Sequence, residues 1–292
     1  MPVRNWLLPL AVLLALVLAA GCGGDDDDEG AAETDITEAV DTGTVTEEAT
    51  LPEFSTVEEG VLTVGSDIPY PPFEFREGDE LTGLDVELME EIANRLGLSD
   101  VKWVDTSFDT IFTQLAGGRF DAVASATTIT DEREEIVNFS DPYYLSQQAL
   151  TVNSEQTPDI TSVDDLSSGD VLAVQQGTTG EMWARDNVPD GVDIRSFPES
   201  PDGFTALEAG NVTGVINDEP TALAEVASRS GLEVVETIDT GERYGFPVNP
   251  ENEPLLEAIN TVLAAMIEDG TYAQIYGNYP DLPPGGSVAE AS

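Results

Sequence analysis

Residues 120–144, FDAVASATTITDEREEIVNFSDPYY, place a strand's worth of small apolar residues directly before Thr127, Thr128, Thr130 and Arg133. Arginine is a natural holder of anions, because its planar guanidinium can donate to two oxygens at once. Taken alone, Arg133 in DEREE reads as a surface side chain paired with its helix neighbours. Asp218, in VINDEP, reads alone as a helix N-terminal residue, since Pro220 suits a first helical turn. Thr178 and Thr179 in QQGTTGEMW read as turn residues, and Tyr70 and Phe108 as core aromatics. Bond-breaking chemistry has little to work with. The chain has no histidine and one cysteine, so the usual general bases and thiol nucleophiles are missing. A carboxylate pair is what remains for acid–base work, and a buried Asp or Glu with a raised pKa would be its sign. No catalytic residue is assigned.

Composition narrows the partners. The 292-residue chain carries 58 Asp and Glu against 10 Lys and Arg, a formal net charge of −48, with Lys102 its one lysine. Such a polyanion repels nucleic-acid phosphate and anionic lipid, so neither is an expected partner. Abundant acid with scarce lysine also fits a surface adapted to high salt, where screening relieves self-repulsion. Without histidine no transition-metal site is expected, and no cofactor is.

The N-terminus reads as a targeting segment. Arg4 precedes WLLPLAVLLALVLAAG, an apolar run too short and one-sided for a good membrane span, so residues 1–21 are expected to be a signal peptide. Cys22 follows at the expected cut and has no second cysteine to pair with. Residues 22–57 are acidic, rich in Thr, Gly and Ala, and poor in large apolar groups. They are expected to form a disordered spacer reaching roughly 30–40 Å, because burial cannot offset their ordering entropy.

From residue 60 the pattern alternates strands and helices. GVLTVGSD, VKWVD and FDAVASA read as strands; Leu84, Leu88, Met89, Ile92, Ala93 and Leu96 share one helical face, as do Phe108, Ile111, Phe112 and Leu115. A second such set starts near residue 148 with QALTV, DVLAVQQ, DIRSF, VTGVIND and LEVVE as strands. A last helix carries Leu255, Leu256, Ile259, Val262, Leu263, Met266 and Ile267 and closes at Gly270. Two successive α/β units imply two lobes, each a mainly parallel sheet flanked by helices, with ligands at the carboxyl ends of the strands.

Four segments, SDIPYPPFEF, GLDVELMEEIANRLG, LAGGRFDAVASATTITDEREEIVNFSDPYY and DGTYAQIYGNY, resemble the family 3 extracellular solute-binding proteins over about residues 60–280. That resemblance implies a two-lobed periplasmic-binding-protein-like (type II) α/β fold with a double hinge crossover. Lobe one would combine residues 60–147 and 246–283, lobe two residues 148–245, and residues 284–292 would be a flexible tail. It also implies that a free polar amino acid is captured between closing lobes and delivered to an ABC permease. A zwitterion leaving water needs a cation for its carboxylate and an anion for its ammonium. By the resemblance Arg133 holds the carboxylate and Asp218 pairs with the ammonium. Ala126 and Thr128 offer the ammonium a carbonyl and a hydroxyl, and the backbone N–H groups at Thr178 and Thr179, after the Gly177 turn, meet the carboxylate. Tyr70 and Phe108 are the aromatic walls, and Asp67 and Gln175 face the side chain, a pair better suited to a basic or amide group than to glutamate.

LAAGC resembles the bacterial lipobox, with Ala19 where leucine is usual. That implies lipidation at Cys22, contact with the membrane through the anchor only, and a place on the extracellular face of the cell membrane. A monomer is expected. The rival readings are a ligand-sensing module for a signalling receptor and a dehydratase-like enzyme on the same scaffold; no added catalytic domain is expected before Ser292.

Overall fold

The computed structural model describes residues 51–289; the expected signal peptide, Cys22 and the spacer as far as residue 50 lie outside the described residues. Strand β1 (Val61–Ser66) leads through a hairpin, β2 (Phe75–Glu77) and β3 (Glu80–Thr82), into helix α1 (Leu84–Arg95). Then follow β4 (Asp100–Asp105), α2 (Phe108–Ala116), β5 (Ala122–Val123), α3 (Asp131–Glu134), β6 (Asn138–Phe139) and the long β7 (Tyr144–Asn153). The second set runs β8 (Val171–Gln175), α4 (Thr179–Asn187), β9 (Asp193–Phe197), α5 (Ser200–Glu208), β10 (Gly214–Asp218), α6 (Glu219–Ser228) and β11 (Leu232–Tyr244). Strand β12 (Pro247–Val248) and helices α7 (Glu253–Glu268) and α8 (Thr271–Tyr276) close the order.

These strands form two five-stranded sheets, ordered β4-β1-β5-β12-β6 and β11-β7-β10-β8-β9. Each has a parallel trio joined through helices, β4-β1-β5 in one and β10-β8-β9 in the other. The strands that carry the chain between sheets run antiparallel: β7 enters the second sheet, β11 pairs with it along its length, and β12 rejoins the first. This is the two-lobed α/β class read from the alternating pattern.

Hydrophobic spacing decides which face each helix buries. Leu88, Met89 and Ile92 of α1 are fully buried in the core that also holds Leu62 and Val64 of β1 and Leu255, Ile259 and Met266 of α7. Each such side chain contributes about 1.5–3 kcal/mol by leaving water. Truncating Leu88 to Ala would cost roughly 2–5 kcal/mol.

Two segments expected to lack structure are packed. Leu51 and Phe54 lie on the first core, the Val57 N–H donates to Asp121 Oδ1 at 2.7 Å, and Asn252 Nδ2 donates to Ser55 O at 2.8 Å. The ordered chain therefore starts before residue 57. At the other end the Leu145 N–H donates to Gly286 O at 2.8 Å, Ser287 is buried, and Val288 and Ala289 pack on the core. The flexible tail expected from residue 284 is in place as far as residue 289. Gly286 permits this, because a Cβ there would stand 2.5 Å from the Tyr144 ring.

Candidate functional site

The strand ends of the two sheets meet at a narrow cleft. At one end of it lies Arg133. Thr130 caps α3 by accepting the Arg133 N–H at 3.2 Å, which fixes the backbone and turns the side chain inward. The guanidinium is buried against the edge-to-face rings of Phe108 and Phe112, 5.2 and 4.9 Å from their centroids. Its Nη1 donates to Thr128 O at 2.7 Å and its Nη2 to Gly177 O, on the opposite lobe, at 3.3 Å. Among the described residues no carboxylate forms an ion pair with it, whereas Arg95 and Arg229 each have two and Arg185 has one. Burial lowers its pKa from 12.5 to about 10, partly offset by the fields of Glu242 and Asp218. It stays charged at neutral pH, a buried cation held by carbonyls and rings.

Gly177 and the start of α4 face Arg133 from the second sheet. Gly177 takes a left-handed φ of 79°, and a Cβ there would come within 3.1 Å of Asp109 Cα in α2. Thr178 is the α4 cap: its Oγ1 accepts the Glu181 N–H at 3.1 Å and donates to Gln175 O at 2.8 Å. The first N–H groups of a helix have no partner within it, so this turn offers donors to an anion.

Asp218 ends β10 and occupies the residue position before α6, yet its side chain makes no cap hydrogen bond. Instead Tyr244 OH and Gln148 Nε2 each donate to it at 2.5 Å. Burial, with Glu242 nearby, pushes its pKa from 3.8 to about 7, against the hydrogen bonds of Tyr244, Tyr70 and Gln148. Ala126 approaches from the first sheet with φ of 42°, a left-handed conformation that costs a side-chain-bearing residue on the order of 1–2 kcal/mol. Asp85 holds it there by accepting the Ala126 N–H at 2.8 Å and Tyr143 OH at 2.7 Å.

The far end of the cleft is acidic. Gln175 Nε2 donates to Asp67 Oδ2 at 2.5 Å and to Pro198 O at 3.3 Å, and the Glu199 carboxyl group stands within hydrogen-bond reach of Asp67. Burial first, then the adjacent Glu199 carboxylate, raises Asp67 from 3.8 to about 8, with Asp105 adding to the effect. Beneath it Ser125 Oγ accepts the Asp67 N–H at 3.0 Å and donates to Glu74 at 2.8 Å. Glu74 is fully buried, and desolvation plus Asp85 push its pKa well above the carboxylate range.

The structure gathers all ten residues singled out in the sequence, Asp67, Tyr70, Phe108, Ala126, Thr128, Arg133, Gln175, Thr178, Thr179 and Asp218, around one cleft, with Ser125 beside them. The surface reading of Arg133 fails, because it is buried away from its acidic helix neighbours; Asp218 does stand at the start of α6, but its side chain turns from the helix to Tyr244 and Gln148. Sequence reasoning missed Ser125, Glu199, Gln148 and Glu242. The one available signal for the last two is their place beside the lobe boundaries expected at residues 147/148 and 245/246.

Residues 62–281 match the bacterial extracellular solute-binding proteins, family 3. The chain belongs to that family. Among its relatives is the L-cystine-binding protein TcyJ of Escherichia coli (strain K12), 34% identical over 220 residues, 73% of this chain and 80% of TcyJ. Among solved structures, an ancestral arginine-binding protein bound to arginine is 37% identical with a TM-score of 0.71, covering 76% of this chain and 99% of that one. An ancestral amino acid-binding protein described as a precursor of cyclohexadienyl dehydratase, AncCDT-1, is 35% identical with a TM-score of 0.70, covering 75% and 95%. No helix among the described residues of this family 3 member is long and apolar enough to cross a membrane.

Proposed function

We propose that this solute-binding protein captures a free polar amino acid with a basic side chain and hands it to an ABC importer, anchored to the extracellular face of the membrane through a lipid on Cys22. The carrying observation is the buried Arg133 guanidinium, which has no carboxylate partner among the described residues and shares its cleft with the buried Asp218 carboxylate. A zwitterion completes both charges. Its carboxylate takes the fork of Arg133 and the N–H groups at the start of α4, and its ammonium takes Asp218, the Ala126 carbonyl and Thr128. At the far end the buried Asp67 carboxyl and Glu199 stand side by side, an acidic pair suited to a guanidinium or ammonium. The arginine-bound ancestral relative supports that choice. Because Arg133 reaches Gly177 across the cleft, the ligand touches both lobes only when they are closed, and binding favours that form. The protein acts as a monomer.

A thermal-shift screen in high salt against the twenty amino acids plus ornithine and citrulline tests this. A ligand at a hundred times its dissociation constant adds about 2.7 kcal/mol. The largest shifts should come from arginine, lysine and ornithine; no shift with any amino acid, from protein freed of co-purified ligand, would remove the reading. Loss of membrane retention in Cys22→Ser, with binding intact, tests the anchor.

A second reading, acid–base catalysis on the same scaffold, draws on the raised pKa values of Asp67 and Asp218. Burial and a neighbouring carboxylate account for both, and both fit a site that awaits cations. Recovery of the bound amino acid unchanged after prolonged incubation separates the two readings.

A further inference from the structure

Thr128 and Thr179 line the cleft from opposite lobes, and both hydroxyls point to one atom behind it. Thr128 Oγ1 donates to Glu242 Oε2 at 2.7 Å, and Thr179 Oγ1 donates to the same oxygen at 3.1 Å. Glu242 Oε1 accepts from Gln148 Nε2 at 3.0 Å and from Thr240 Oγ1 at 3.2 Å. The carboxylate is buried, and β11 delivers it there through an irregularity between Ile238 and Glu242, with Gly241 at a left-handed φ of 62°.

The polarity of these bonds has a consequence for the cleft. An ionised carboxylate only accepts, so each threonine commits its single hydroxyl hydrogen to Glu242. What Thr128 and Thr179 can then present to a ligand is lone pairs, which attract an N–H donor and repel a carboxylate oxygen. Gln148 extends the effect. Its amide gives one N–H to Glu242 and the other to Asp218 Oδ1, so the carboxylate behind the cleft also orients the one within it.

We propose that Glu242 is a positioning residue for the ligand's α-ammonium: from behind the cleft it turns the Thr128 and Thr179 hydroxyls into acceptors and, through Gln148, aims Asp218. The inference rests on the amino-acid reading of the site and goes beyond it, because a clasp that merely held the lobes together would leave every ligand equally affected.

The experiment compares wild-type protein with Glu242→Gln and Glu242→Met, titrating each with L-arginine and with its des-amino analogue. If the screen returns another amino acid, that acid and its des-amino analogue are used. Wild-type binding of the amino acid comes first; its failure removes the functional reading and is recognised there. Given that binding, Glu242→Met should weaken the amino acid at least about tenfold more than the analogue, within the range of coupling between contacting groups. Glu242→Gln, which keeps an acceptor but loses the charge, should fall between. In combination with Thr128→Val the loss should be smaller than the sum of the two single losses. Equal weakening of both ligands, no weakening, or additive losses with Thr128→Val would overturn the assignment. Should the Met variant not fold, the Gln variant and its Thr128→Val combination decide.

Discussion

Replacing Arg133 with methionine should separate binding from stability more cleanly than any other single change. Burial lowers the guanidinium from 12.5 to about 10, and at about 1.4 kcal/mol per decade that disfavours the charged folded form by roughly 3 kcal/mol. For a cation whose folded value is depressed, this destabilisation is present throughout the range below about pH 10 and fades as pH rises toward the unfolded value. Methionine relieves it. Against that stand the lost bond to buried Thr128 O, left unsatisfied at about 1–3 kcal/mol, and the lost bond to Gly177 O, on an exposed residue where water takes the donor's place. The contacts with Phe108 and Phe112 are kept in part by the methionine chain. The opposing effects differ by about 2 kcal/mol at most, so the ligand-free melting temperature should move by no more than about 8 °C, given about 2–4 °C per kcal/mol at this size. Ligand affinity has no such compensation. Truncating one partner of a buried charge pair costs about 2–5 kcal/mol, so the dissociation constant should rise roughly 30- to several-thousandfold. Calorimetric titration and a melting curve on the same sample read both quantities. A folded variant that binds within about threefold of wild type would refute the carboxylate role. Collapse of the fold would refute the balance of burial and hydrogen bonding.

Three further outcomes follow from the same geometry. Asp67 and Asp218 rise from 3.8 to about 8 and about 7, so the folded chain keeps protons that the unfolded chain releases, and ligand-free stability is lost as pH rises from about 4 toward 8. Affinity for the ammonium should climb over the same interval as Asp218 ionises; melting curves and titrations at pH 5 to 8 should therefore slope in opposite directions, and parallel slopes would count against Asp218. Gly177→Ala puts a side chain at φ 79° and a Cβ within 3.1 Å of Asp109 Cα, so it should resist closure and weaken binding about tenfold while leaving far-ultraviolet circular dichroism unchanged. Raising KCl from about 0.1 to about 1 M shortens the screening length from about 10 to about 3 Å. With a net charge of −48, the protein should melt at higher temperature in the concentrated salt, and a flat or falling midpoint would remove the high-salt reading.

Local rules made much of this molecule legible. The 3.6-residue spacing of Leu84, Leu88 and Ile92 and of Leu255, Ile259 and Leu263 marked the faces that α1 and α7 bury. The order of strand, threonines, arginine and aromatic pair carried the first half of the cleft. What stayed hidden depends on contacts between residues far apart in the chain. DEREE gives no local sign that Arg133 is buried, because Phe108, Phe112 and Gly177 O meet it only after the lobes form. Glu242 sits in ERY on a strand whose irregular pairing decides which way each side chain points, and a shift of one residue would have turned it to solvent. Leu51, Phe54 and Val288 are isolated apolar residues in polar segments, too sparse to form a periodic pattern, yet each finds the first core.

The central claim, that one cleft closes on both charges of a zwitterion, is tested most directly by titrating the full-length protein with three ligands. These are the amino acid that stabilises it best, its decarboxylated analogue and its des-amino analogue. Binding of the intact amino acid, with each analogue weaker by at least about a hundredfold, is the expected result, since each leaves Arg133 or Asp218 buried without its partner. Either analogue binding as tightly as the amino acid would contradict the account.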